Sequence, residues 1–181
     1  MSKVGVKPIC LPKGMEVDYN SDLSVLSLSF GSSSERCDLP VGIDVDISDS
    51  GLALSIAKKT KDLKRLLGLT RSIVFSKMQK VQKIYHEVTL NVNGVGYKAS
   101  FDEGILSLSL GYSHDIAYYI PSVIDVLCKS NSIFLKSLDK QLLSMVAESI
   151  CNIRSYDPYK GKGVIFVGKA KYNRRKSSSK K

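Results

Sequence analysis

The chain repeats itself once, at a spacing of 80 to 81 residues, and this constrains its fold more than any other feature. Ser27-Leu28-Ser29-Phe30-Gly31 matches Ser107-Leu108-Ser109-Leu110-Gly111 at a shift of 80. Leu39-Pro40 followed by Ile43-Asp44-Val45 matches Ile120-Pro121 followed by Ile124-Asp125-Val126 at a shift of 81. Leu52-Ala53-Leu54 then matches Ile133-Phe134-Leu135, again at 81. Three blocks in one order at one spacing mark a duplicated unit, and two copies are too few for a solenoid.

Each copy carries the same local signals. Residues 23–30 and 105–110 alternate apolar with small polar side chains, the period of a half-buried strand. Residues 43–47 and 123–127 do likewise, each set just after a proline, and short third strands follow at 52–56 and 132–135. The period then lengthens. Leu63, Leu66, Leu67, Thr70, Ile73, Val74 and Met78 fall at helical spacing, as do Leu138, Leu142, Met145, Val146, Ser149 and Ile150. Thr60 and Ser137 are the expected helix caps. The second copy adds a leading strand at 86–92. The pattern predicts an α+β fold of two duplicated units, each a small antiparallel sheet packed against one helix, with a basic C-terminal tail. The expected divisions are 1–82, 83–168 and 169–181.

Charge separates the two ends of the chain. The net charge is +10, yet residues 154–181 hold 10 basic side chains and one acid, Asp157, leaving 17 basic and 16 acidic residues in the rest. A cluster of this kind marks a polyanion-binding surface more strongly than a diffuse excess does. With 43% hydrophobic residues the chain can bury a core, but no stretch approaches the roughly 18–20 apolar residues that span a bilayer. The opening residues lack the apolar run of a secretory signal. Cys10, Cys37, Cys128 and Cys151 form no CxxC pair, so free thiols are expected rather than a zinc cluster or a disulfide framework.

Several motifs fail on inspection. Gly94-Val95-Gly96-Tyr97-Lys98-Ala99 fits a loose GxGxxA, but a dinucleotide site needs a helix next, and here a strand and the Asp102-Glu103-Gly104 turn follow. Asp44, Asp46 and Asp49 lack the glycine and terminal glutamate of a calcium loop. Lys160-Gly161-Lys162-Gly163 is not a phosphate-binding Walker loop. His86 and His114 have no nucleophile-elbow or HExxH context, so no catalytic, metal or cofactor residue is assigned. Residues 160–166 echo an RRM motif, but Lys162 and Val164 stand where its stacking aromatics belong.

One segment has the right chemistry for RNA. In Arg154-Ser155-Tyr156-Asp157-Pro158-Tyr159-Lys160-Gly161-Lys162-Gly163 the glycines admit close approach to a phosphate. The lysines supply point charges and the tyrosines flat, hydroxyl-tipped surfaces. Eight of nine tyrosines (85, 97, 112, 118, 119, 156, 159 and 172) lie in the second unit or its tail, so the second unit is expected to be the main RNA-binding one.

These stretches are also recognisable. Asn93-Gly94-Val95-Gly96-Tyr97-Lys98, Leu108-Ser109-Leu110-Gly111-Tyr112-Ser113-His114 and Asp157-Pro158-Tyr159-Lys160-Gly161-Lys162-Gly163 together resemble the signatures of the universal ribosomal protein family "L six", bacterial type. The similarity runs along the whole chain, including residues 8–14. Two departures stand out: Asn152 to Asp157 is less basic than usual in that family, and Val164 to Gly168 is more apolar. The resemblance implies a structural constituent of the large ribosomal subunit, not an enzyme, seated on large-subunit ribosomal RNA near the translation-factor binding region. It implies neighbouring large-subunit proteins as partners, translation factors nearby, and neither a membrane nor a small-molecule substrate. The implied setting is a cytoplasmic ribosome, with an organellar one left open. The RNA-contact residues then expected are Gly94, Gly96, Tyr97, Lys98, Tyr112, Ser113, His114, Arg154, Tyr156, Tyr159, Lys160, Gly161, Lys162 and Gly163. In the tail they are Lys169, Lys171, Arg174, Arg175 and Lys176. The rival readings are a non-ribosomal RNA-binding module, an RNA-processing enzyme using His86 or His114, and a module binding acidic proteins or anionic membranes.

Overall fold

Two apolar clusters form, one from each copy of the repeat, and the computed structural model divides between Ile84 and Tyr85. It describes residues 5, 7–48, 51–56, 60–129 and 131–168. In the first unit β1 (Met15–Asn20), β2 (Val25–Phe30) and β3 (Ser33–Asp38) form an antiparallel sheet with β2 central. A hairpin of β4 (Ile43–Ser48) and β5 (Gly51–Ile56) follows, then α1 (Lys61–Val81), packed on β2, β3 and β5. Alternation does the sorting. Leu26 and Leu28 point inward from β2 and meet Leu67, Val74 and Met78 from one stripe of α1, while intervening serines face away.

The second unit repeats this plan and enlarges it. β6 (His86–Asn93) opens it, and β7 (Lys98–Asp102), β8 (Ile105–Ser109) and β9 (Ile116–Tyr119) make the three-stranded sheet. β10 (Asp125–Lys129) and β11 (Ser132–Ser137) make the hairpin, α2 (Lys140–Ile153) follows, and β12 (Gly163–Phe166) closes the chain order. The hairpin joins β6 and β12 in the order β10-β11-β6-β12. Leu143, Val146, Ala147 and Ile150 of α2 share one core with Leu90, Val92, Ile133 and Leu135. Each such fully buried aliphatic side chain contributes on the order of 1.5–3 kcal/mol.

The duplication extends to single hydrogen bonds. Leu39 N–H donates to the Ser24 carbonyl at 2.8 Å, and Ile120 N–H to the Gly104 carbonyl at 3.1 Å. Ile43 N–H donates to the Pro40 carbonyl as Ile124 N–H does to that of Pro121. Even β6 has a counterpart. Leu52 exchanges both backbone bonds with Ile9, at 2.8 and 2.9 Å, where Ile133 pairs with Leu90 of β6. Ile9 is thus a one-residue remnant of the strand that fills eight residues in the second copy.

The α+β pattern, the paired strands and both helices lie where the periodicity predicts. Three features differ in detail. Each unit holds two small sheets rather than one continuous sheet. β3 (Ser-Ser-Glu-Arg-Cys-Asp) is a strand because it pairs along its length with β2, an effect of tertiary context that its polar sequence does not announce. Ser137 is not the cap of α2. Its hydroxyl is buried, donates to the Val123 carbonyl and accepts from Asp139 N–H, whereas the Asp139 carboxylate takes the N–H groups of Gln141 and Leu142 at 3.0 and 3.2 Å. Thr60 does hold the cap position of α1, but its side chain makes no capping bond. Asp139→Ala is therefore expected to cost about 1 kcal/mol, read as a shifted urea midpoint at unchanged slope, because two helix-end donors lose their acceptor.

No helix among the described residues is long and apolar enough to cross a membrane. No disulfide joins the four cysteines. Burial pushes the Cys37 thiol up, Lys77 draws it partly back and Asp38 adds to the rise; burial alone raises Cys128.

Candidate nucleic-acid interface

Three loops of the second unit converge on two tyrosines. The first loop turns at Gly94-Val95-Gly96-Tyr97, with Tyr97 N–H donating to the Gly94 carbonyl at 3.3 Å. Tyr97 itself is not a surface contact: it is 7% exposed and belongs to the core with Leu106, Leu108 and Leu110. Its ring passes so close to the neighbouring turns that a Cβ on Gly94 would stand 2.5 Å from it, and one on Gly111 3.0 Å. Gly111 also sits at φ +75°, where glycine is at ease. The Tyr97 ring thereby ties the 94–98 turn to the 111–114 loop.

Tyr112, on that second loop, reaches the third. Its hydroxyl donates to the Ile153 carbonyl at 2.9 Å, and the Arg154 guanidinium lies over its ring at 4.9 Å from the centroid. Arg154 is the residue at which α2 turns extended, so the cation sits where helix carbonyls favour positive charge. Hydrogen bonding to Tyr112, followed by Coulombic attraction to Tyr97 and Tyr112, holds its pKa above even the usual arginine range. The charge is fixed at any working pH.

From Arg154 the chain makes a loop closed by its own backbone. Arg154 carbonyl accepts from Val164 N–H at 2.9 Å, Asp157 N–H donates to the Lys162 carbonyl at 2.7 Å, and Gly161 N–H donates to the Asp157 carbonyl at 2.8 Å. The Asp157 carboxylate takes Tyr159 N–H at 2.8 Å, an Asx-type turn that aims the next residues outward. Gly161 (φ +69°) and Gly163 (φ +124°) supply backbone shapes that side chains resist. Gly163 is also pressed against the main chain: a Cβ there would meet the Ser155 carbonyl oxygen at 2.5 Å. Tyr159, Lys160 and Lys162 end on the exposed rim, and Tyr156 is half-buried beside them.

Of the sequence-predicted residues, Gly94, Gly96, Tyr97, Tyr112, Arg154 and the 156–163 stretch are thus linked by contact or by continuous turns. Lys98 is exposed at the start of β7, opposite Ser109. Ser113 and His114 lie exposed on the second loop, with Ser113 Oγ and His114 Nδ1 3.3 Å apart. Lys169, Lys171, Arg174, Arg175 and Lys176 lie outside the described residues. Gly111 and Asp157, which the sequence places in these loops but not among the expected contact residues, act as framing residues. The repeat held a signal for the first, since Gly31 occupies the equivalent place at φ +59°, and Asp-Pro is a turn opener for the second.

Other chemistry finds no seat here. The residues after Gly96 form β7, not the helix a pyrophosphate would need. No group of three His, Cys, Asp or Glu among the described residues is placed to hold a metal ion.

A family model described as Ribosomal protein L6 matches residues 93–166, the span that contains all three loops. The chain is 34% identical over 166 residues to a protein of Campylobacter jejuni named large ribosomal subunit protein uL6, covering 92% of each chain. It is 33% identical to the protein uL6c of Phaeodactylum tricornutum over 93% of each. Against the Parvibaculum lavamentivorans protein of the same uL6 name, identity is 37% and both chains are covered in full. With such identity along nearly its whole length, the chain belongs to the ribosomal protein L6 family, the uL6 proteins.

Proposed function

We propose that the protein is a structural constituent of the large ribosomal subunit that grips folded large-subunit ribosomal RNA through the three joined loops of its second unit. The observation that carries the reading is the rigid frame around Arg154, Lys160 and Lys162: a fixed cation stacked on Tyr112, and two exposed lysines on a loop closed by main-chain hydrogen bonds. A preset backbone spares the ordering entropy that a free loop would lose on binding. Cations in a fixed array suit phosphates of pre-folded RNA, where A-form geometry hides base edges in a narrow groove. The uL6 relatives are named for the large subunit, and the same assignment is made here: a ribosomal protein rather than an enzyme, bound to ribosomal RNA and neighbouring ribosomal proteins in the cytoplasmic ribosome. A seat near the translation-factor binding region is part of the proposal.

Counterion release sets the test. Each phosphate neutralised contributes about −0.7 to −0.9 to the slope of log affinity against log salt. If half a dozen cations engage, binding to deproteinised large-subunit RNA falls by roughly three orders of magnitude between 50 and 200 mM salt. Lys160→Gln with Lys162→Gln is expected to make that slope shallower by about 1.4–1.8, the share of two phosphates. A flat salt response of the parent chain, or sedimentation of the protein away from large subunits in moderate salt, would end this reading.

A further inference from the structure

We propose that Arg154 holds one RNA phosphate through two parallel N–H bonds, its guanidinium pre-set by the Tyr112 ring, whereas Lys160 and Lys162 act as charge alone. The assignment rests on the RNA-binding reading of these loops and gives one residue in them a geometric role.

The pair is built as a closed ring of contacts. The Tyr112 hydroxyl is bonded to the Ile153 carbonyl, Ile153 is bonded in sequence to Arg154, and the guanidinium returns over the Tyr112 ring at 4.9 Å. The main chain at Arg154 is tied as well, its carbonyl accepting Val164 N–H. An arginine so held has lost much of its rotamer freedom before any ligand arrives. The guanidinium carries five N–H groups, so its bonding to Tyr112 and Tyr97 leaves others available to a planar acceptor pair. The two non-bridging oxygens of a phosphate match that edge in spacing and charge. Among the described residues no carboxylate pairs with Arg154. The lysines differ in kind: both ammonium groups sit on exposed, flexible stems, and any cation of similar reach replaces them.

Salt-dependent binding of the full chain to deproteinised large-subunit RNA separates geometry from charge. Arg154→Gln is expected to make the slope shallower by about 0.7–0.9, one phosphate's share. Arg154→Lys keeps the charge, so its slope is expected to match the parent while affinity falls about tenfold at fixed salt, from losing the second parallel bond. Tyr112→Leu removes the platform and is expected to behave like Arg154→Lys. Tyr112→Phe keeps the ring and loses the hydroxyl's bonds to the Ile153 carbonyl and to Arg154, so it is expected to lie nearer the parent than Tyr112→Leu does. Lys160→Arg and Lys162→Arg are expected to bind as the parent does. Arg154→Lys binding as tightly as the parent would overturn the assignment, as would an Arg154→Gln chain with reduced affinity at an unchanged slope. The reverse order of the two Tyr112 variants would also overturn it. Thermal melts of each variant show whether the fold is retained, and the Tyr112→Phe comparison decides the matter if an Arg154 variant does not fold. Should the lysine variants shift the slope while Arg154→Lys changes nothing, only this assignment falls. A parent chain without salt-dependent binding removes the broader reading with it.

Discussion

Gly163→Ala is expected to destabilise the second unit by about 3–5 kcal/mol, the sum of a strained backbone and a main-chain collision. The residue sits at φ +124°, and a methyl group there would lie 2.5 Å from the Ser155 carbonyl oxygen and 2.7 Å from the Tyr156 Cα. No side chain can step aside to make room, because both neighbours are backbone. The relief available is to break the Ser155–Val164 bridge, and with it the base of the 157–163 loop. A melting temperature lower by more than about 10 °C follows for a unit of this size. Gly96→Ala is the control. It also has positive φ, +79°, but nothing lies within 4 Å, so it is expected to cost only about 1 kcal/mol. Equal losses from the two substitutions would show that close approach at Gly163 is not what matters.

Tyr97→Ala is expected to cost about 3–5 kcal/mol, as for other large aromatics removed from a packed core. Its effect reaches further than a cavity, since the ring is what two turns lean on. With it gone, Gly94 and Gly111 lose their common neighbour and the Tyr112 loop loses its registration. Affinity for large-subunit RNA should therefore fall together with stability, although Tyr97 is buried. Tyr97→Phe keeps the packing surface and is expected to retain most of both. Tyrosine fluorescence reports these changes directly, since the chain has no tryptophan and eight of its nine tyrosines belong to the second unit or tail. Full RNA affinity in a folded Tyr97→Ala chain would separate the loops from the core beneath them.

Much of this architecture was legible because hydrophobic period and internal repetition agree. The alternation in Val25–Phe30 and Ile105–Ser109, and the helical stripe from Leu63 to Met78, mark within each segment's own sequence the face that becomes buried. What escaped was decided between segments. β3 is a strand through its partner β2, and Ile9 earns its place only opposite Leu52. Asp139 displaced Ser137 as the cap because the Ser137 hydroxyl was already committed to the Val123 carbonyl, on the far side of β10 in sequence. The three signature loops were identifiable in the sequence, but their mutual contacts were not. Nothing in the spelling of Tyr97 says that it faces inward while Tyr112, fifteen residues later, lies on the rim with Arg154.

The loop from Asp157 to Gly163 has one further consequence. Its outline is drawn by peptide groups, by glycines and by the Asp157 carboxylate rather than by the lysine ammonium groups. Lineages living at different salinities can therefore adjust the cations at positions 160 and 162 without redrawing the frame that carries them. The unforgiving positions are the glycines and Asp157, and mutational tolerance along this segment should be greatest at the two lysines.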